Sequence, residues 1–400
     1  MSRSPSAPAR AAGPVQLVLL LVGSCMPVLG AVLLSPVLPR MEEEFAAVGG
    51  AEVLVPVVLT LPALFIAIGA PFAGVIADRF DRKRLLVWAM LAYSVCGTAP
   101  LYLDSLYAIL ASRALVGVCE AAIMTCCTTL IADYWSGPRR VRYLGVQTLV
   151  TTVSATLFFA LGGALGAGGW RTVFWLYLVA AVVAVPMARF LWQPVRPEHE
   201  ADEPVSAGRL AVPVLVTIVG GLVFYTLIVQ LSYVLDDAGV TDSAAIGGIT
   251  ALMSLATAIG AGLFAKATRL GLRPLLAGEF AVAGAGLVLV GTAGSVPVVV
   301  AGAVLTGFGT GLLLPTLLTW AVDGLSFAQR GRGTGVWTSA LFLGEFLSPL
   351  VVGGLAAASA GLGGALGIVG GASIVLALVV AVLLKRGSGQ HAAAFGRAAA

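Results

Sequence analysis

The stretch GVIADRFDRKR, residues 74–84, lies between two long apolar runs, and every position from 78 to 84 except Phe80 carries an ionic side chain. That density is foreign to the rest of the chain. Of its 400 residues only 10% are charged and 59% are hydrophobic, with a mean hydropathy of +1.01. A soluble domain carries about a quarter charged residues, and no water-soluble fold could cover this much apolar surface. The composition therefore dictates an integral membrane protein, and it dictates helices. A transmembrane barrel would show ~10-residue segments of alternating polarity, and the sequence has none.

Working outward from residues 74–84, a helix needs about 20 apolar residues to cross a bilayer. Runs of that length occur at 14–38, 53–77, 85–103, 106–132, 143–166, 172–192, 210–235, 243–265, 274–293, 296–322, 334–357 and 363–384, which makes twelve spans. Placing the N-terminus in the cytoplasm puts every Lys and Arg except Arg40, Arg113 and Arg171 into the N-tail, the even-to-odd loops or the C-tail, as the positive-inside rule requires. The other loops are short and acidic, as in PRMEEEF (39–45) and DDAGVTD (236–242). The first run, residues 14–37, is longer than a signal peptide's apolar core of about 7–15 residues and reads as a retained span.

One long polar break, QPVRPEHEADEPVSAGR (193–209), is rich in proline and charge and reads as a cytoplasmic linker. The expected organisation is an N-tail (1–13), a six-helix bundle (14–192), the linker (193–209), a second six-helix bundle (210–385) and a disordered C-tail (386–400). Two equal halves joined by a linker suggest a transporter of parallel repeats with its site near the midplane.

Residues 74–84 resemble the loop between spans 2 and 3 of the major facilitator superfamily. That pattern has a glycine, an aspartate four residues on, an arginine and a basic cluster, and Gly74, Asp78, Arg79, Arg82, Lys83 and Arg84 match it. Asp81 stands where the family usually has glycine. SRALVGVCEAA in span 4 is similar to the family's arginine-then-glycine motif through Arg113 and Gly117, and also to span 4 of spinster-type transporters. GWRTVFW (169–175), GFGTGLLLP (307–315) and RGRGTG (330–335) resemble drug:proton antiporters, although TLFFALGGALG (156–166) lacks the span 5 proline common in that group. The resemblance implies the major facilitator fold with both termini cytoplasmic and transport by alternating access. It also implies gating by residues 74–84, with Asp78 facing the start of span 11 near residues 333–336 and Arg82 able to pair with Asp133.

Charges inside a span cost at least about 2.5 kcal/mol each, so Arg113, Glu120, Glu279 and Glu345 need reasons. Arg113 and Glu120 are nearly two turns apart and share a helix face. A nearby cation favours an ionised carboxylate and desolvation favours a protonated one, so Glu120, tuned by Arg113, is the expected proton-coupling group. A static buried ion pair is the structural alternative. Glu345 is a second proton site, a contact for a cationic substrate or a structural group, and Glu279 reads as a polar brace. Gln147, Tyr225 and Gln230 are candidate substrate contacts, with plain interhelical hydrogen bonding as the alternative.

The five cysteines lie in apolar runs without metal-type spacing, the two histidines lie in polar segments, and there is no GxxxxGK[ST] segment for ATP. No enzyme constellation, cofactor, metal or nucleic-acid partner is implied. The expected function is proton-coupled efflux of an amphipathic drug or small metabolite by a monomer in the cell membrane. Uptake, movement of a lysolipid-type substrate, and a non-transporting receptor on the same fold remain as alternatives.

Overall fold

The structure is a computed structural model that describes residues 12–72, 81–194, 207–323 and 325–383. The loop residues Gly74, Asp78 and Arg79, most of the 193–209 linker and the C-tail lie outside the described residues.

Among the described residues, twelve helices are long and apolar enough to cross a membrane: α1 (Pro14–Glu44), α2 (Ala51–Phe72), α3 (Arg82–Leu101), α4 (Leu106–Tyr134), α5 (Gly137–Gly166), α6 (Trp170–Phe190), α7 (Gly208–Asp237), α8 (Ser243–Leu270), α9 (Leu272–Gly291), α10 (Val296–Val322), α11 (Gln329–Ala358) and α12 (Gly361–Leu383). No strand occurs among the described residues. Large apolar side chains such as Trp88, Val182 and Val382 are exposed around the outside, which is the surface a bilayer solvates.

Several helices run past the expected limits. The PRMEEEF segment is not a loop, because Leu38–Glu44 is helical. α5 begins at Gly137, ahead of its expected start at 143, so Arg139, Arg140 and Arg142 lie on the helix. α11 likewise begins ahead of its expected start at 334, taking in the RGRGTG stretch. Charge marks where the membrane ends. A helix end is set by capping groups, which can lie further on. Asp81 shows this at α3, where its Oδ1 accepts from the Arg84 amide at 2.9 Å.

α1 is visibly broken. Its helix stops at Ser24, resumes at Met26, turns at Leu33 and Leu34, passes through a 3₁₀ turn at Ser35–Val37 and resumes at Leu38. Pro27, Pro36 and Pro39 explain the interruptions, since each lacks an amide hydrogen and crowds the carbonyl four residues earlier.

The first six helices pack mainly on one another, as do the last six. Within the second half, α9 packs closely against α10 and α12, with Gly284 against the Gly370 backbone and Gly286 against Gly302. Small residues let membrane helices approach to this distance. Among the described residues the halves meet where α1 packs on α7 and α8, α2 on α11, and α5 on α8. The α5–α8 seam is at the acidic end of the molecule, where Gly163 and Gly247 touch backbone to backbone. The α2–α11 seam lies at the basic end, where Ser339 Oγ donates to the Ala67 carbonyl at 2.5 Å and Gly335 packs on Ala70.

Candidate functional site

The site is built where α4 crosses the break in α1. Gly117 lets α4 lie against α2, since a methyl group at residue 117 would stand 2.6 Å from the Pro62 backbone. This approach carries Arg113 to the neighbouring helices, where it is fully buried. Its Nε donates to the Val58 carbonyl of α2 at 3.1 Å, Nη1 to the Tyr177 hydroxyl of α6 at 2.6 Å, and Nη2 to the Gly30 carbonyl of α1 at 3.0 Å. The planar guanidinium suits this fork of acceptors.

Arg113 and Glu120 do share a face, and both converge on Gly30. They do not form an ion pair. Glu120 Oε1 is buried without a hydrogen-bond partner and occupies the space where a side chain at residue 30 would begin. Around it, the Tyr93 hydroxyl donates to the Met26 carbonyl at 2.6 Å, and the Tyr93 and Tyr177 rings sit 5.0 Å apart. Tyr93 and Tyr177 escaped the sequence reading. They come from α3 and α6, far from Arg113 in sequence, and a single tyrosine in an apolar run carries no pattern.

The second half supplies Tyr225 and Glu345. The Tyr225 hydroxyl crosses the seam to donate to the Ala31 carbonyl at 2.5 Å, and Ser35 Oγ returns the link by donating to the Ile228 carbonyl at 2.5 Å. Glu345 lies near the midpoint of α11, as Glu120 lies near that of α4. It is 5% exposed, and the two carboxyls are close enough to interact electrostatically. Gln230 is buried on α7. Gln147 stands apart, nearer the basic end, where its amide donates to Ser24 Oγ at 2.8 Å and Thr128 Oγ1 at 3.1 Å.

Glu279 is away from this centre, between α9 and α10, where it accepts from Thr316 Oγ1 at 2.7 Å. Arg82 and Asp133 form an ion pair that ties α3 to α4 at the basic end. At the acidic end, Arg40 donates to the Gly166 carbonyl at 2.8 Å and the Thr241 carbonyl at 3.3 Å, and so clasps both halves. Arg171 there binds the Pro100 and Leu103 carbonyls and the carboxylates of Glu44 and Asp104. No group of three or more His, Cys, Asp or Glu residues among the described residues is arranged to hold a metal.

Known proteins give this architecture its place. The family model described as Major Facilitator Superfamily matches residues 20–218 and 213–398. The 3-(3-hydroxy-phenyl)propionate transporter of Escherichia coli K12 is 27% identical over 341 residues, 80% of this chain and 82% of that protein. The class H tetracycline resistance protein of Pasteurella multocida is 26% identical over 150 residues, 38% of this chain and 37% of that protein. Among solved structures, a bacterial homolog of the human lysosomal transporter spinster, in an inward-facing and unoccupied conformation, superposes with a TM-score of 0.70 at 17% identity, covering 97% of this chain and 98% of that one. With twelve membrane helices and a family match across nearly its whole length, the chain belongs to the major facilitator superfamily and is a multi-pass membrane transporter of a small molecule.

Proposed function

We propose that the protein is a proton-coupled exporter of an amphipathic small molecule, neutral or cationic, working by alternating access. One observation carries the reading. Each half places one buried carboxyl, Glu120 and Glu345, near mid-span within electrostatic reach of the other. Among the described residues the buried cation beside them is Arg113, which already donates to two carbonyls and a hydroxyl. A buried acid without a dedicated counter-charge can take up and release a proton or meet a cationic group. The spans around these carboxyls are apolar, and a mostly apolar lining with few polar groups suits an amphipathic ligand, with Tyr225 and Gln230 as its candidate polar contacts. On this reading the basic end faces the cytoplasm, residues 74–84 with Arg82 and Asp133 gate that side, and the working unit is a monomer.

A second reading has one specific support. The relative matched over 80% of the chain is named for an aromatic propionate, which favours proton-linked uptake of an aromatic carboxylate. Against it stands the acidic character of the centre. The receptor alternative has no support in a family of transporters.

Purified protein in proteoliposomes discriminates the readings. With substrate on the opposite side from protons, export predicts a substrate-dependent proton flux against the substrate flux, and uptake predicts both in the same direction. Glu120→Gln is expected to abolish the proton flux while the protein still inserts. A wild-type flux in that variant would refute the role given to Glu120.

A further inference from the structure

The break in α1 lies one turn beyond Gly30, between the two contacts that cross to the second half, Ala31 with Tyr225 and Ser35 with Ile228. The Leu33 amide still bonds to the Leu29 carbonyl at 3.1 Å, and the helical ladder is interrupted at Leu34. One turn earlier, the Gly30 and Ala31 carbonyls accept from side chains, Arg113 on one and Tyr225 on the other. Glycine at residue 30 is also what admits the Glu120 carboxyl, because a Cβ there would overlap Oε1. The same small volume thus holds a carboxyl, a carbonyl and the guanidinium whose donor both can accept.

We infer that the Gly30 carbonyl reads the proton on Glu120, and that the α1 break opens and closes with it. This rests on the proton-coupling reading above. With Glu120 neutral, Arg113 Nη2 stays on the Gly30 carbonyl and the break is held open. When the proton leaves Glu120 for the aqueous side, the new carboxylate competes for Nη2, a charge-assisted partner against a neutral one. The released carbonyl takes the Leu34 amide, one residue of helix re-forms, and Ala31 and Ser35 shift against Tyr225 and Ile228. The proton state of one half is thereby passed to the other through the backbone. This is the task that broken helices perform where carbonyls line a site. The other ionisable groups around Glu120 are Tyr93 from α3, Arg113 and Cys119 on its own helix, Tyr177 from α6, Tyr225 from α7 and Glu345 from α11. α1 and α2 contribute backbone carbonyls.

Hydrogen exchange reads the Leu34 and Ser35 amides directly. The full-length protein in nanodiscs, compared at acid and alkaline pH after correction for the chemical exchange rate, is expected to show about tenfold slower exchange of the Leu34 and Ser35 amides at alkaline pH, equivalent to about 1.4 kcal/mol. Glu120→Gln and Gly30→Ala are each expected to erase that step. A wild-type protein without the step, or a Gly30→Ala protein that keeps it, overturns the inference. If Gly30→Ala fails to insert, Arg113→Lys takes its place, with loss of the step expected and a full step refuting. Transport separates this from the function itself. Should Glu120→Gln keep proton-driven transport, the proposed function falls. Should it lose transport yet keep the exchange step, only the role of Gly30 falls.

Discussion

Gly163 of α5 and Gly247 of α8 meet with no side chain between them. A methyl group on Gly247 would stand 2.7 Å from both the Gly163 α-carbon and the Phe159 carbonyl oxygen, and one on Gly163 would stand 2.5 Å from the Ser243 carbonyl oxygen. Backbone cannot step aside as a long side chain can. Gly247→Leu is therefore expected to wedge the acidic ends of the halves apart and to leave insertion intact. Ser254, deeper on α8 and bonded to Thr156 at 2.9 Å, gives the readout. In a Ser254→Cys background, Gly247→Leu should raise labelling by an impermeant thiol reagent from the acidic side about tenfold, a shift of about 1.4 kcal/mol between closed and open states. Unchanged labelling would mean that the α5–α8 contact does not close that side.

The Arg113 fork makes a second expectation quantitative. Interhelical hydrogen bonds in membrane proteins average about 0.6 kcal/mol. Lysine keeps the charge but offers a compact ammonium that cannot span the acceptors on α1, α2 and α6. Arg113→Lys should cost about 1–2 kcal/mol of stability, seen as a lower melting temperature in detergent. A melting temperature equal to wild type would mean that the fork is not formed in the folded protein.

These two sites differ in how visible they are in the sequence. Twelve spans, the basic and acidic ends and the shared face of Arg113 and Glu120 follow from hydropathy and helical spacing, because an ionic side chain in a bilayer is too costly to be incidental. The partners of Arg113 do not follow. Two of its three acceptors are backbone carbonyls, which every residue possesses, and they become available only through the fold. The third, Tyr177, lies two helices away. Nor does a glycine-rich run reveal which glycine meets which. Gly163 and Gly162 are neighbours in sequence, yet one faces α8 and the other the Leu33 carbonyl of α1. The helix extensions were hidden for another reason. Charge at 39–45 and 137–142 signals the end of the membrane, while hydrogen bonding carries the helix on.

Asp81 stands at a position where the resembling loops have glycine, and it has a local structural use. As the N-cap of α3 it satisfies the Arg84 amide, so Asp81→Ala should cost about 1 kcal/mol of stability. Asp81→Gly should recover most of that, because glycine also tolerates the cap position. Thermal unfolding of the two variants beside wild type checks the order. A transport defect in Asp81→Gly with unchanged stability would instead place Asp81 in the gate.

Glu120 and Glu345 interact across the seam between the halves, so their protons should not titrate independently. Two interacting acids release protons in two macroscopic steps that belong to the pair. Initial transport rates measured across a wide pH range are therefore expected to show two inflections in wild type. With Glu345→Gln one partner can no longer ionise, and a single inflection should remain, displaced from both wild-type values by about one pH unit or less. Glu345→Asp keeps the charge on a shorter stem and should restore two inflections, which loss of packing alone would not. A Glu345→Gln profile that superposes on wild type would remove Glu345 from the proton path and leave Glu120 as the sole acid at the centre.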